Sequence, residues 1–362
     1  MKLELAGWDL LWAEEFRQYI QNINGERFPG RVITRNRHIY AVGGEAGEVQ
    51  AEVAGALFNR ANLADLPAVG DWVVFKPPAE VGSSAIIEKV LPRRTKFSRK
   101  TAGSALQEQI IAANIDLLFV IVGLDQDYNL RRLERYLVAA AESGVALVIV
   151  LNKSDLCAGI DLKARIAEVR AIAPGTPVLP ISALSSEAIA TLLPYLPAGK
   201  TAVLVGSSGA GKSTIVNQLL GMAQQETQTT RPSDGRGRHT TTQRELFLLP
   251  GGGLILDNPG IRELQLWPED ASVDDAFIDI MEIVGRCAFR DCRHQGDKGC
   301  AIETALAAGE LDLARWQSYL KLGEELDRTA IQFDGDARRK QKQKMKKLFK
   351  DQKRHYKESD KP

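Results

Sequence analysis

Four short runs in this chain carry the residue types that handle nucleotides: NKSD at Asn152–Asp155, ISA at Ile181–Ala183, GSSGAGKS at Gly206–Ser213 and DNPG at Asp257–Gly260. The glycine-rich run follows an apolar strand pattern, Thr201–Val205, and precedes a helical one, STIVNQLL. That is the setting a phosphate loop requires. Gly206, Ser207, Ser208, Gly209, Ala210 and Gly211 would turn backbone N–H groups inward, reinforced by the positive end of the next helix. Lys212 is placed for the β- and γ-phosphates and Ser213 for Mg²⁺, with Thr214 closing the cofactor-binding run.

NKSD is chemistry for a base. The Asp155 carboxylate can accept from N1–H and the 2-amino group of guanine, donors that adenine lacks. Asn152 would brace the pocket, the Lys153 stem would pack on the base plane, and Ser154 completes the turn. Ser182 and Ala183 would offer a backbone N–H to the guanine carbonyl. Asp257 is expected to hold Mg²⁺ through water, and the Gly260 N–H to sense the γ-phosphate.

The segment DGRGRHTTTQ (Asp234–Gln243) lies between the phosphate loop and DNPG, where a switch must supply a threonine to Mg²⁺. Thr241 is the choice, with Thr240 as its rival. Ile261 follows DNPG, where many GTPases carry a glutamine that orients the attacking water. His239 is therefore the first candidate for that role, beside Lys212 and Thr241 in the catalytic set. Gln243 and a group supplied by a partner are the alternatives.

The order of these motifs carries information of its own. An ordinary GTPase opens on the phosphate loop and closes on the guanine-reading runs, whereas here NKSD and ISA come first. The expectation is one GTP site in a circularly permuted domain, which is tolerable because domain termini usually lie close together at the surface.

A second cluster suits a metal. Cys287-x4-Cys292-x-His294-x5-Cys300 offers three thiolates and an imidazole within fourteen residues, a closed tetrahedral set for one structural Zn²⁺. Four cysteines in a chain this long form no disulfide framework, so a reducing, cytoplasmic setting is expected. No apolar run is long enough for a membrane span.

The elements that must position these groups are legible from periodicity. Residues 1–28 form an amphipathic extension through Trp8, Leu11, Trp12, Phe16, Tyr19 and Ile20, its apolar face packing on the next domain. In residues 29–95, GRVITR, HIYAV, VQAEVAG, GDWVVF and SAIIEKVL predict five short strands, a small barrel of OB-fold type. Arg31, Arg35, Arg37, Arg60, Arg93, Arg94 and Lys96, interleaved with His38, Tyr40 and Trp72, make an RNA-binding face there plausible. Residues 96–268 switch to strand–helix alternation with all-apolar strands, a doubly wound P-loop α/β domain. Residues 269–335 are a helical zinc-binding domain, and 336–362 a basic tail.

The tail explains the charge. From Arg338 to Lys357 eleven Lys/Arg face one acid, Asp351, a local charge of +10 in a chain whose total is +1. The body is therefore weakly acidic, and the tail suits a polyanion such as nucleic acid.

With barrel, permuted nucleotide motifs and Cys3His cluster in this order, residues 30–330 closely resemble the RsgA (YjeQ/YloQ) family of ribosome small-subunit-dependent GTPases. PAVGDWVVF, NKSD, GSSGAGKST, GRHTTT, DNPG and CAFRDCRHQGDKGC carry the resemblance. It implies a GTP hydrolase that acts late in 30S subunit maturation, docks near the decoding region and contacts 16S ribosomal RNA through its OB-fold. Subunit-stimulated hydrolysis would accompany release. Ile261 fits that family's pattern. The partners expected are GTP/GDP, the 30S subunit and 16S rRNA, with no membrane and a monomeric chain.

Overall fold

The computed structural model describes residues 2–60, 63–80, 82–100, 108–157, 161–227, 244–257 and 273–333. These divide into two compact units, one holding the described residues up to 257 and the other residues 273–333.

The first unit starts with helix α1 (Leu10–Ile20), opened by Asp9, whose carboxylate accepts from the N–H groups of Leu11 and Trp12. Its inner face carries Trp12, Phe16, Tyr19 and Ile20, which pack, together with Trp8 just before the helix, against Trp72, Val74 and Leu91. Leu11 does not join them. It is two-thirds exposed, and its neighbour Leu10 more so, because both fall on the outer side of the turn. The apolar face expected to pack on the barrel is therefore narrower than its sequence pattern.

The barrel strands are β1 (Phe28–Asn36), β2 (Ile39–Gly44), β3 (Gly47–Val53), β4 (Trp72–Lys76) and β5 (Ala85–Val90), with helix α2 (Gly55–Arg60) between β3 and β4. They pair in the order β1-β2-β3-β5-β4, and β4 returns to β1, which closes the cylinder. All pairs are antiparallel except β3–β5. Alternate residues Val32, Tyr40, Val42, Val73, Phe75 and Ile87 fill the interior.

Several residues that the sequence placed on a basic, aromatic RNA face lie inside. Arg31, Tyr40 and Trp72 are buried, and Arg93 is tied to Asp71 by two hydrogen bonds of 2.8 and 2.7 Å. Arg31 donates to the carbonyls of Ala6, Gly70 and Asn114, holding the turn that precedes α1 and the barrel to the chain that follows. Burial lowers its pKa to about 10, so it remains charged at neutral pH. Arg37 and His38, at the β1–β2 turn, stay exposed, with the half-exposed Phe58 edge-on to His38 at 5.6 Å.

A two-stranded hairpin, β6 (Lys96–Lys100) and β7 (Glu108–Ala113), follows the barrel and was not anticipated from the strand–helix pattern. Then come β8 (Leu117–Gly123), α3 (Leu130–Ser143), β9 (Ala146–Asn152), α4 (Leu162–Ile172), β10 (Val178–Pro180), α5 (Ser186–Ala190), β11 (Thr201–Gly206), α6 (Lys212–Thr227), β12 (Glu245–Leu248) and β13 (Leu254–Asp257). Their order is β10-β9-β8-β11-β13-β12, parallel except for β12. Strands β8 and β11 are buried along their whole length, as strands covered on both faces must be. The order also shows the permutation: the phosphate-loop strand β11 lies between β8 and β13, inside the sheet, although it comes late in the chain.

The barrel and this sheet are one hydrogen-bonded surface. β12 pairs with β13 on one side and with barrel strand β1 on the other, so Glu245 stands opposite both Asp257 and Thr34.

The second unit contains α7 (Ile278–Val284), α8 (Ala301–Ala308) and α9 (Leu313–Phe333). Phe277, Ile280, Ile302 and Trp316 are buried in it, and Arg315 makes a two-pronged pair with Asp279.

Candidate nucleotide and metal sites

Parallel strands bring their carboxyl ends to one edge, where ligands of such sheets bind. Here that edge gathers Asn152 from β9, Gly123 from β8, Gly206 from β11 and Asp257 from β13. The register is close: Gly123 stands opposite Asn152, and Ile121 opposite Gly206.

The loop after β11 turns on glycines. Gly206 has φ 146° and Gly211 φ 101°, the backbone region that suits glycine, and a Cβ at Gly206 would strike the Ile121 carbonyl. Lys212 opens α6 and folds over the loop, its ammonium donating to Gly206 O at 2.7 Å and Ser207 O at 2.6 Å. Ser208, Gly209, Ser213 and Thr214 are exposed on this rim, while Ala210 is buried beneath it.

Asn152 joins the runs. Its buried amide donates from Nδ2 to Ala210 O at 2.8 Å, and its Oδ1 accepts from Ala183 N at 2.9 Å. One side chain thus bridges the NKSD, GSSGAGKS and ISA segments. Ser154 N also donates to Ile181 O at 3.1 Å, which fixes the NKSD turn on the strand that leads to Ser182. Asp155 is exposed at the mouth of that turn. Thr240, Thr241, His239, Gln243, Gly260 and Ile261 lie outside the described residues, as does the side chain of Asp257.

The second unit brings Cys287, Cys292, His294 and Cys300 together, with all four ligand atoms within 4.8 Å of one another. His294 Nδ1 lies 3.7, 3.4 and 3.5 Å from the three sulfurs in that order. A tetrahedral Zn²⁺ with bonds of about 2.3 Å to sulfur and 2.0 Å to nitrogen has edges of about this length. The four residues therefore fit a zinc ion. His294 reaches this position by adopting φ 57°. Around the cluster, Ala301 N points at Cys287 Sγ at 3.3 Å and Trp316 stands edge-on to the His294 ring. Such outer contacts fix the orientation of the ligands.

The RsgA GTPase family model matches residues 90–267. Over 97% of its length the chain is 43% identical to the small ribosomal subunit biogenesis GTPase RsgA of Opitutus terrae, of which it covers 97%. The chain belongs to the RsgA GTPase family. A relative of the same name from Methanosarcina acetivorans is 40% identical over 97% of this chain and 94% of its own. YjeQ from Thermotoga maritima superposes with a TM-score of 0.61 at 25% identity, covering 83% of this chain and 99% of that one. YloQ, a circularly permuted GTPase, has the same fold, with a TM-score of 0.59 at 23% identity over 84% and 97% of the two chains.

As an RsgA GTPase the chain is a GTP-hydrolysing enzyme, and its nucleotide is accompanied by Mg²⁺. Among the described residues, no helix is long and apolar enough to cross a membrane.

Two residues at the site were not picked out from the sequence. Asp125 and Asp127 lie in the β8–α3 loop, where Asp125 pairs with Lys153 and Asp127 with Arg132 at 2.9 Å. The Lys153 ammonium holds the Asp125 carboxyl below the usual carboxylate range. The Ser207 hydroxyl and Arg132 do the same for Asp127. Their signal was available: LDQDYN directly follows an all-apolar strand, at the carboxyl end where parallel sheets place ligands.

Proposed function

We propose that this RsgA GTPase binds Mg·GTP across the rim formed by Gly206–Ser213, Asn152–Asp155 and Ser182–Ala183, and that it works in late maturation of the small ribosomal subunit. The observation that carries the nucleotide reading is the Asn152 amide, which ties the base-reading turn to the phosphate loop. The small-subunit role is supported by the names of relatives that match along nearly the whole chain.

In this reading Asp155 accepts from guanine N1–H and the 2-amino group, and ATP would leave that carboxylate without donors. The N–H groups of Ser208–Ser213 and the Lys212 ammonium surround the phosphates, where fixed donors cost no reorganisation during reaction. Ser213 and Asp257 would hold Mg²⁺, which neutralises charge developing on the phosphates. Thr241 and Gly260 would respond to the γ-phosphate, and His239 would orient the attacking water, the place of glutamine being taken by Ile261. Cys287, Cys292, His294 and Cys300 would hold one structural Zn²⁺.

The barrel of residues 29–95 would contact 16S rRNA, with Arg37, His38 and Phe58 its exposed basic and aromatic group and the tail of 336–362 adding salt-dependent phosphate contacts. The domain limits proposed are 96–268 for the GTPase and 269–335 for the zinc unit, in a cytoplasmic monomer. Phosphate release measured with isolated 30S subunits, 50S subunits and tRNA tests the assignment. Stimulation by 30S alone is expected, and equal stimulation by 50S or tRNA contradicts it.

A further inference from the structure

Strand β8 lies between β9 and β11, so the loop leaving its carboxyl end must run between the base-reading turn and the phosphate loop. That loop is bonded to the turn after β9. Leu124 N donates to Asn152 O at 2.9 Å. Asp125 Oδ2 accepts from the Lys153 ammonium, and Asp125 Oδ1 accepts from Asp127 N at 3.1 Å. A Cβ at Gly123 would stand 2.9 Å from Asp125 Oδ1, so a glycine there leaves room for the carboxylate to fold back.

Lys153 needs this support. Its backbone has φ 67°, a conformation a lysine holds only when its surroundings over-determine it, and its side chain is a flexible four-carbon stem. The pair is sheltered, with side-chain exposures of 26% for Lys153 and 28% for Asp125, unlike the open Arg328–Glu324 pair at 72% and 66%.

We propose that Asp125 is a positioning residue for guanine recognition, holding the Lys153 ammonium so that the lysine stem forms a fixed cover for the base whose edge Asp155 reads. Asp125 touches no nucleotide itself and acts through Lys153. The inference rests on the guanine-nucleotide reading above.

A double-mutant cycle on the full chain, titrated with a fluorescent GDP analogue, tests it. Asp125→Asn and Lys153→Met should each weaken GDP binding by about 5- to 20-fold, and the double variant no more than Lys153→Met alone. Asp125→Glu should recover part of the loss. A merely structural Asp125 would lower the thermal midpoint and multiply with Lys153→Met, which overturns the proposal; GDP binding by Asp125→Asn at the unaltered affinity also overturns it. Should Asp125→Asn fail to fold, the same cycle with Asp125→Glu decides. Absence of GDP binding by the unaltered chain would instead remove the guanine reading, a separate failure.

Discussion

Asn152 donates to the Ala210 carbonyl at 2.8 Å across 58 residues of sequence. The same amide accepts from Ala183, so a single buried side chain ties the NKSD turn to both the Gly206–Ser213 loop and the ISA segment. A chain opened elsewhere in the circuit can still form this junction because it depends on three strand ends meeting at one edge of the sheet, with β8 between β9 and β11, and not on their succession.

Gly211 is the tightest point of that junction. Its φ of 101° disfavours any side chain, and a Cβ would land on the Asn152 amide nitrogen. Gly211→Ala should therefore cost about 1–3 kcal/mol locally and lower GDP affinity by roughly tenfold or more. Asn152→Ala, which orphans Ala210 O and Ala183 N, should destabilise by about 2–3 kcal/mol. Thermal midpoints and GDP titrations check both, and wild-type GDP affinity in Gly211→Ala would contradict the geometry.

Asp9 joins α1 to the barrel by capping the helix and pairing with Arg94, whose guanidinium stacks on Trp12 at 4.3 Å. Asp9→Ala should cost about 1 kcal/mol from the cap, the exposed ion pair adding less than that. Arg94 lowers the Asp9 pKa from 3.8 to about 2. A depressed folded-state pKa means that this contribution is complete above about pH 4 and is lost as pH falls to 2. Tryptophan emission, reporting Trp8 and Trp12 against Trp72, should shift in that window, and Asp9→Ala should show part of the shift already at pH 7.

Arg31 and Arg37 are both arginines of strand β1 or its turn, with opposite surroundings. Arg31→Met should cost about 3 kcal/mol in denaturant unfolding because three buried carbonyls lose their donor, and Arg31→Lys should not rescue it, since an ammonium lacks the planar fork. Arg37→Ala should fall within about 0.5 kcal/mol of the unaltered chain. Similar costs for the two would refute the assignment of Arg31 to the core.

Cys300 stands at the N-terminal end of α8 and is the buried member of the metal cluster. Cys300→Ser should reduce bound zinc well below one ion per chain by elemental analysis. Chelation should also speed amide hydrogen exchange in α8, because structural zinc contributes folding free energy outright. Slow exchange in the metal-stripped chain would count against a structural ion.

Much of this was legible in the sequence, for physical reasons. Buried parallel strands must be apolar throughout, so β8, β9 and β11 stood out, and the phosphate loop needs glycines where only glycine fits. The metal cluster was equally visible because four ligands within fourteen residues need no long-range packing to meet. Arg31 and Trp72 were misplaced because composition cannot tell a solvated arginine from one whose donors are all taken by buried carbonyls. Asp125 escaped notice because its role depends on β8 lying between β9 and β11, a fact of sheet order that no local pattern contains. The β6–β7 hairpin was missed because KFSRK has little apolar alternation.

Base preference is the most direct test of a single guanine site assembled from separated runs. In Asp155→Asn the carboxylate becomes an amide that can donate, so xanthosine diphosphate, with an oxygen where guanine has its 2-amino group, should bind more tightly than GDP. Retention of the GDP preference by Asp155→Asn would contradict the account.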